Sequence, residues 1–283
     1  MSASVGALTQ TGDQPRRRVI RRHTLLVRIT HWINAIAFVV LLSSGLQIFN
    51  AHPALYWGRI ATFDHPFLSL TAEENANGAP IKGVTTIAGH SFNTTGVLGA
   101  TRNSLGMLDE RGFPSWATLP ADQDLATGRR WHFFFAWILV FNGAVYMINL
   151  FARRHIRDFI PSFAELCDIP HSIIQHALLR FPKGDAALHY NVLQKLAYFA
   201  VIIAFPILVL AGLTMSPSLD TTFPWLLELF GGRQSARSVH FIIAFLLVGF
   251  VVVHLIMVLV SGVFNNLRSI ITGRYAIEEE HDA

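Results

Sequence analysis

The sequence predicts an all-α integral membrane protein. It reads as a four-helix bundle with both termini cytoplasmic and a long periplasmic loop between helices 1 and 2. Three observations carry this. Of the 283 residues, 52% are hydrophobic and only 14% are charged, whereas soluble domains run near a quarter charged. Four stretches (Ile29–Gly58, Trp131–Ala152, Leu196–Leu219 and Ser238–Leu267) contain no Asp, Glu, Lys or Arg, and each is long enough for the roughly 20 residues that a bilayer span needs. Finally, basic residues cluster in the N-terminal tail, the segment between helices 2 and 3 and the C-terminal segment; the 49–130 loop also holds several, but loops beyond roughly 60 residues hardly influence orientation.

The spans are expected at about 27–48, 131–151, 191–213 and 238–261, as helices, because a helix satisfies all its own backbone hydrogen bonds in lipid. Arg16, Arg17, Arg18, Arg21, Arg22 and Arg28 precede or open the first. Arg153, Arg154, Arg157, Arg180 and Lys183 lie between the second and third, and Arg268 and Arg274 follow the fourth. The positive-inside rule makes those segments cytoplasmic. The organisation is then a basic cytoplasmic tail 1–22, a transmembrane domain 23–265 and a cytoplasmic tail 266–283. Within the domain, 49–130 is the periplasmic loop and 152–190 a cytoplasmic one. The net charge of +4 is thereby explained by membrane topology, and no nucleic-acid partner is expected. The first apolar run is too long for a signal-peptide core and lacks a small-residue cleavage site, so it reads as a retained helix in a bacterial inner (cytoplasmic) membrane.

The loop 49–130 mixes turn residues ("NANGAP", "HSFNTTGVLGATRNSLG") with aromatics ("ALYWG", "GFPSWATLP"). That mixture suggests an ordered cap of turns and short elements. On the other side, Ile169, Ile173, Ile174, Ala177 and Leu178 share one helical face and suggest a short interfacial helix. The single cysteine, Cys167, excludes an internal disulfide, a four-cysteine iron–sulfur cluster and a covalent C-x-x-C-H haem site.

Thirteen histidines are present, and four of them sit in the spans: His31, His132, His240 and His254. His240 and His254 are fourteen residues apart, about 21 Å along a helix and within ~40° of one face. Topology supplies their partners. His132 opens a helix entering from outside and lies level with His240; His31 opens a helix entering from inside and lies level with His254. Two imidazole pairs result, one near each surface. Paired imidazoles from different helices suit the two axial positions of a haem iron. They fall short of the four ligands of structural zinc, while a proton relay, or interfacial placement without any cofactor, remains open at this point. Arg28, Arg129 and Arg237 each precede one of these histidines by three residues, one turn nearer the surface, where haem carboxylates would need cations. Gly45 and Gly143 fall on the faces of His31 and His132, placed to line the haem at the other depth.

The segments "RITHWINAIAF", "GRRWHFFFAWILV", "YNVLQKLAYFAVI" and "RSVHFIIAFLLVGFVVVHLIMVL" resemble the bacterial di-haem cytochrome b family. That family includes the membrane subunits of nickel–iron hydrogenases, formate dehydrogenases and thiosulfate reductases. The similarity covers roughly 23–50 and 128–265. It implies two non-covalent b haems, ligated by His132 with His240 and by His31 with His254, and a quinone as electron partner. Arg28, Asn34, His189 and Gln194 are polar groups near the inner surface that could meet a quinone carbonyl. The long outer loop departs from the hydrogenase subunits and is closer to cytochromes that accompany periplasmic molybdopterin-dependent enzymes. The expected function is electron transfer between such a periplasmic redox enzyme and the quinone pool. The alternative is a stand-alone quinone oxidoreductase acting on a small diffusible substrate such as superoxide.

Overall fold

The computed structural model describes residues 17–103, 105–152, 160–178 and 191–278. In chain order, β1 (Arg17–Arg21) leads into the first long helix, α1 (Leu25–Asn50). A β-rich segment follows: β2 (Ala54–Leu55), β3 (Leu68–Glu74), β4 (Pro80–Ile87), β5 (His90–Asn93), β6 (Ala100–Arg102), β7 (Leu108–Glu110) and a 3-10 turn at Ser115–Ala117. The second long helix is α2 (Leu125–Ala152), followed by short helices α3 (Phe163–Cys167) and α4 (Ile169–Ala177). Then come α5 (Val192–Thr214), short α6 (Pro217–Thr222) and α7 (Trp225–Phe230), α8 (Arg233–Val260), amphipathic α9 (Val263–Thr272) and β8 (Arg274–Glu278).

Among the described residues, four helices, α1, α2, α5 and α8, are long and apolar enough to cross a membrane. Packing is closest within two pairs, α1 with α2 and α5 with α8. Between α1 and α2, the Asn142 amide donates to the Thr30 carbonyl at 2.8 Å and to Asn34 Oδ1 at 2.7 Å, the kind of polar tie that holds helices together in lipid. The helices overrun the apolar runs because their ends are capped in polar sequence. Asp124 Oδ1 accepts the Thr127 N–H at 3.0 Å, so α2 starts before Arg129 and Arg130. Asn191 and Gln194 form a reciprocal capping box at the start of α5.

The all-α expectation needs correction. The segment between α1 and α2 folds as a four-stranded antiparallel sheet of order β2-β3-β4-β5 plus the two-stranded β6-β7. The β4–β5 hairpin turns through Ala88 (φ 48°) and Gly89 (φ 84°), both left-handed, as a two-residue hairpin turn requires. Arg17–Arg21 pairs antiparallel with Arg274–Glu278, so one strand lies within 1–22 and its partner within 266–283.

This cap is bolted to the C-terminal end of α1 and the N-terminal end of α8. Leu46 and Phe49 of α1 share a core with Leu55, Leu70 and Phe113 of the cap, with Phe241 of α8 packed against it. The Asn50 side chain takes both backbone groups of Phe113: Oδ1 accepts its N–H at 2.7 Å and Nδ2 donates to its carbonyl at 3.1 Å. Buried Arg111 donates to the Phe113 carbonyl (2.9 Å), Thr118 Oγ1 (2.7 Å) and Gln47 Oε1 (3.2 Å). Burial lowers the Arg111 pKa, partly offset by Asp122 and Asp109. On the α8 side, Ser238 Oγ donates to the Tyr56 carbonyl at 2.6 Å and Ser235 Oγ accepts the Gly58 N–H at 2.7 Å.

Candidate cofactor site

The four histidines predicted to pair are brought together as two pairs. The rings of His132 (α2) and His240 (α8) have centroids 6.2 Å apart, and those of His31 (α1) and His254 (α8) 6.4 Å apart. A metal bound by each ring nitrogen at about 2 Å, with each nitrogen about 1 Å from its ring centre, puts the two centres about 6 Å apart. Among the described residues, no cluster of three or more His, Cys, Asp or Glu that could hold a metal ion occurs, so this donor set suits a group needing two axial imidazoles rather than a four-ligand ion.

At the His132–His240 level both rings are oriented through Nδ1. His132 Nδ1 lies 3.2 Å from the Leu41 carbonyl of α1 and 3.2 Å from Ser44 Oγ. The Ser44 hydroxyl has its own acceptor in the Val40 carbonyl at 2.6 Å. His240 Nδ1 lies 2.9 Å from the Leu208 carbonyl of α5. A carbonyl only accepts, so Nδ1 carries the proton in both rings and Nε2 keeps a lone pair for a metal. Such an outer hydrogen bond fixes ring orientation and raises ligand basicity.

One local device makes both contacts possible. Gly45 follows Leu41 by four residues, and Gly212 follows Leu208 by four. A helical Cβ leans toward the N-terminus, over the turn four residues back. A Cβ on Gly45 would stand 3.3 Å from His132 Cε1, and one on Gly212 3.2 Å from His240 Cε1. Glycine therefore opens the approach of each imidazole to its carbonyl. Gly45 lies at the level expected for it. Gly143 does not meet an imidazole: a Cβ there would touch the Phe205 ring at 3.1 Å. Gly212 was missed because α5 carries no histidine; its spacing from Leu208 means nothing until α8 is placed alongside.

The His31–His254 pair is supported differently. His31 sits edge-on to Trp32 at 5.5 Å and His254 stacks on Phe250 at 6.0 Å. His31 Nδ1 is buried with no hydrogen-bond partner.

The three arginines differ in their engagements. Arg28 donates to the Ile271 carbonyl at the end of α9, and its Nε is buried without a partner. Arg237 donates to the His52 carbonyl and lies over the Phe49 ring, 5.3 Å from its centre. Arg129 is exposed, over Phe133 at 5.4 Å. Among the described residues none of the three pairs with a carboxylate. Of the polar groups considered for quinone, Asn34 accepts from Asn142 and Gln194 caps α5; His189 lies outside the described residues.

A bundle of membrane-crossing helices carrying two facing imidazole pairs, with Nε2 free at His132 and His240 and arginines at helix ends, defines a membrane cytochrome of the b type. The sequence pattern of the prokaryotic cytochrome b561 family matches residues 83–273, and the chain belongs to that family. It is a multi-pass membrane protein of a family that binds haem b and serves electron transfer. The match takes in α2, α5 and α8 with His132, His240 and His254, while α1 with His31 lies outside it. A relative from Azospira oryzae, named as the protein-methionine-sulfoxide reductase subunit YedZ1, is 30% identical over 242 residues, which cover 83% of this chain and 89% of that protein.

Proposed function

We propose that the chain is a di-haem subunit carrying electrons between a periplasmic oxidoreductase, molybdopterin-dependent, and the quinone pool of the bacterial inner membrane. The observation that carries this reading is the pair of imidazole contacts, at 6.2 and 6.4 Å, on a helix whose two histidines are about 21 Å apart along its axis. Bound haem supplies one-electron chemistry at iron. The residues do the rest. His132 and His240 hold one iron and His31 and His254 the other, while the Leu41 and Leu208 carbonyls keep protons on Nδ1 of the first two. Arg28, Arg129 and Arg237 offset propionate charge near the two surfaces.

The charge pattern supports cytoplasmic termini and an outward-facing cap. The cap covers the His132–His240 end and exposes apolar side chains there: Trp116 is 84% exposed, Ile60 73% and Phe63 71%. Aromatic and aliphatic anchors of this kind populate interface cores, so the cap docks the periplasmic partner. The relative's name, a reductase subunit, supports an enzyme as that partner. The same cover disfavours the alternative, a stand-alone oxidoreductase for superoxide or a similar small substrate, which an open outer edge would suit better. Quinone exchange belongs to the inner end, near His31.

The test is made on the purified full-length protein in detergent or nanodiscs. Pyridine haemochrome analysis should give two non-covalent b haems per chain with a six-coordinate low-spin spectrum, and a quinol should reduce both. Fewer than one haem per chain after gentle purification, or haems that no quinol reduces, would end this reading.

A further inference from the structure

The two ends of the described chain meet and form a built unit. β1 and β8 pair over five residues, and the Arg22 N–H donates to the Gly273 carbonyl at 2.8 Å. Asn265 of α9 treats Ala276 as a strand neighbour would: Nδ2 donates to its carbonyl at 2.8 Å and Oδ1 accepts its N–H at 3.0 Å. Thr272 Oγ1 donates to the Arg268 carbonyl at 2.7 Å and accepts the Arg274 N–H at 3.2 Å. Gly273 has φ 83°, and a Cβ there would stand 2.8 Å from the His23 carbonyl oxygen. The turn into β8 thus demands glycine.

The charge on this unit is one-sided. The register sets Arg21 directly opposite Arg274, so both guanidiniums leave the same face of the ribbon, where like charges destabilise the pair. Arg268 and Arg274, with Val19 and Thr272, line a pocket. Among the described residues no carboxylate pairs with Arg21, Arg268 or Arg274. The Arg268 and Arg274 guanidiniums on this pocket suit an anion, and phosphate oxygens match their fork geometry; Arg268 Nη2 also donates to Asn265 Oδ1 at 3.2 Å.

α9 says where that phosphate comes from. Phe264, Leu267 and Ile271 are spaced three and four residues apart on one face and are exposed, Phe264 by 87%. Asn265, Arg268 and buried Ser269 lie toward the ribbon. An amphipathic helix of this kind lies in a bilayer interface. The membrane-crossing helix α8 ends at Val260, just before it, and α1 begins at Leu25, just after β1. The pocket therefore stands at headgroup level.

We propose that Arg268 and Arg274 with Thr272, reinforced by the charge of Arg21 opposite Arg274 on the ribbon, form a binding site for the phosphodiester headgroup of an anionic phospholipid in the adjoining leaflet, which seats the joined termini on the membrane. This goes beyond the electron-transfer reading and stands without it. The test is amide hydrogen exchange of β1 and β8 in the full-length protein, in nanodiscs of phosphatidylcholine alone or mixed with phosphatidylglycerol. Phosphatidylglycerol should slow exchange, by about fivefold for each arginine engaged, and leave α8 unchanged. The double variant Arg268→Gln, Arg274→Gln should lose that slowing while matching the parent in phosphatidylcholine; Arg274→Lys, a charge without the fork, should keep only part of it. Equal exchange in both lipids would overturn the proposal. So would equal protection by inorganic phosphate in phosphatidylcholine discs, which would make this a soluble-anion site. Faster exchange in phosphatidylcholine after truncation following Glu278 would also overturn it, by showing the acidic tail to be the occupant.

Discussion

At the outer pair, His132 and His240 each lie against a backbone carbonyl through Nδ1, one supplied by α1 and the other by α5. At the inner pair His31 Nδ1 is buried without a partner, and aromatic neighbours Trp32 and Phe250 do the positioning. The ring spacings are nearly the same, 6.2 and 6.4 Å. Spacing is therefore a property of how the helices cross, while orientation and basicity come from what stands behind each ring. The outer end adds a cap fixed by the Asn50 clamp and the Arg111 bonds. The opposite end carries α9 and the β1–β8 ribbon, with α9 tied to α1 by the bond from Arg28 to Ile271. The better-braced end is the one beneath the cap.

The comparison breaks outright if the pairs are misassigned, so the largest expected effects are on the ligands. His240→Ala and His132→Ala should each reduce haem from two per chain to one and leave the same residual spectrum. His254→Ala and His31→Ala should share the other. A shared phenotype of His31→Ala and His240→Ala would dissolve the distinction between an outer and an inner site.

If both pairs hold haem, unequal bracing should appear as unequal retention. Loss of an outer hydrogen bond to a metal-bound His typically costs 10- to 100-fold in affinity. During extraction with excess apomyoglobin, the haem of the His31–His254 pair should leave first, by about 10-fold or more. Assignment comes from the single-haem variants, and simultaneous loss would mean that the Leu41 and Leu208 carbonyls contribute nothing.

A smaller effect isolates the brace. In Gly212→Ala the new Cβ stands 3.2 Å from His240 Cε1, so the ring or α5 must move by a few tenths of an ångström. Overpacking of this type costs about 1–3 kcal/mol and should perturb only the outer haem's low-spin EPR signal. Gly249→Ala is the control, since a Cβ there meets nothing within 4 Å. Equal perturbation of both haems by Gly212→Ala would remove the brace from the argument.

Much of this was legible in the sequence because membrane spans and fourteen-residue spacing on a helix are local properties. Four charge-free runs give four helices, and the level of each histidine follows from the direction in which its helix enters. The carbonyl braces were not legible, because Leu41 and Leu208 contribute backbone, which any residue has. Gly212 gains its meaning only from α8. The cap's strands left a trace that turn residues obscured: "GVTTI" in β4 is β-branched, and Ala88-Gly89 sits between two strands as a hairpin turn would. The β1–β8 ribbon joins segments some 250 residues apart, and no local pattern encodes such a pairing.

The smallest expected effect concerns pH, and it compares the two ends once more. His23, just before α1, has its pKa lowered by burial first and then by Arg22, His31 and Arg28. His52, at the start of the cap, has its pKa lowered by burial and then by Arg237. A histidine depressed in the fold binds fewer protons there than in the unfolded chain. Its stabilisation is complete above the ordinary value of 6.5 and is lost as pH falls from there through the folded pKa. Acidification from about pH 7 to pH 5 should therefore loosen both ends, read as faster amide exchange at the start of α1 and across Ala51–Tyr56. His23→Asn should flatten the response at α1 alone, and His52→Asn the response at the cap alone, since the two sit at opposite ends of α1. Two arginines, Arg22 and Arg28, act on His23 and one, Arg237, on His52, so the steeper response is expected at the His23 end. A steeper response at the cap would mean that burial there outweighs the cationic surroundings of His23, and the inner end would no longer be the more easily disturbed of the two.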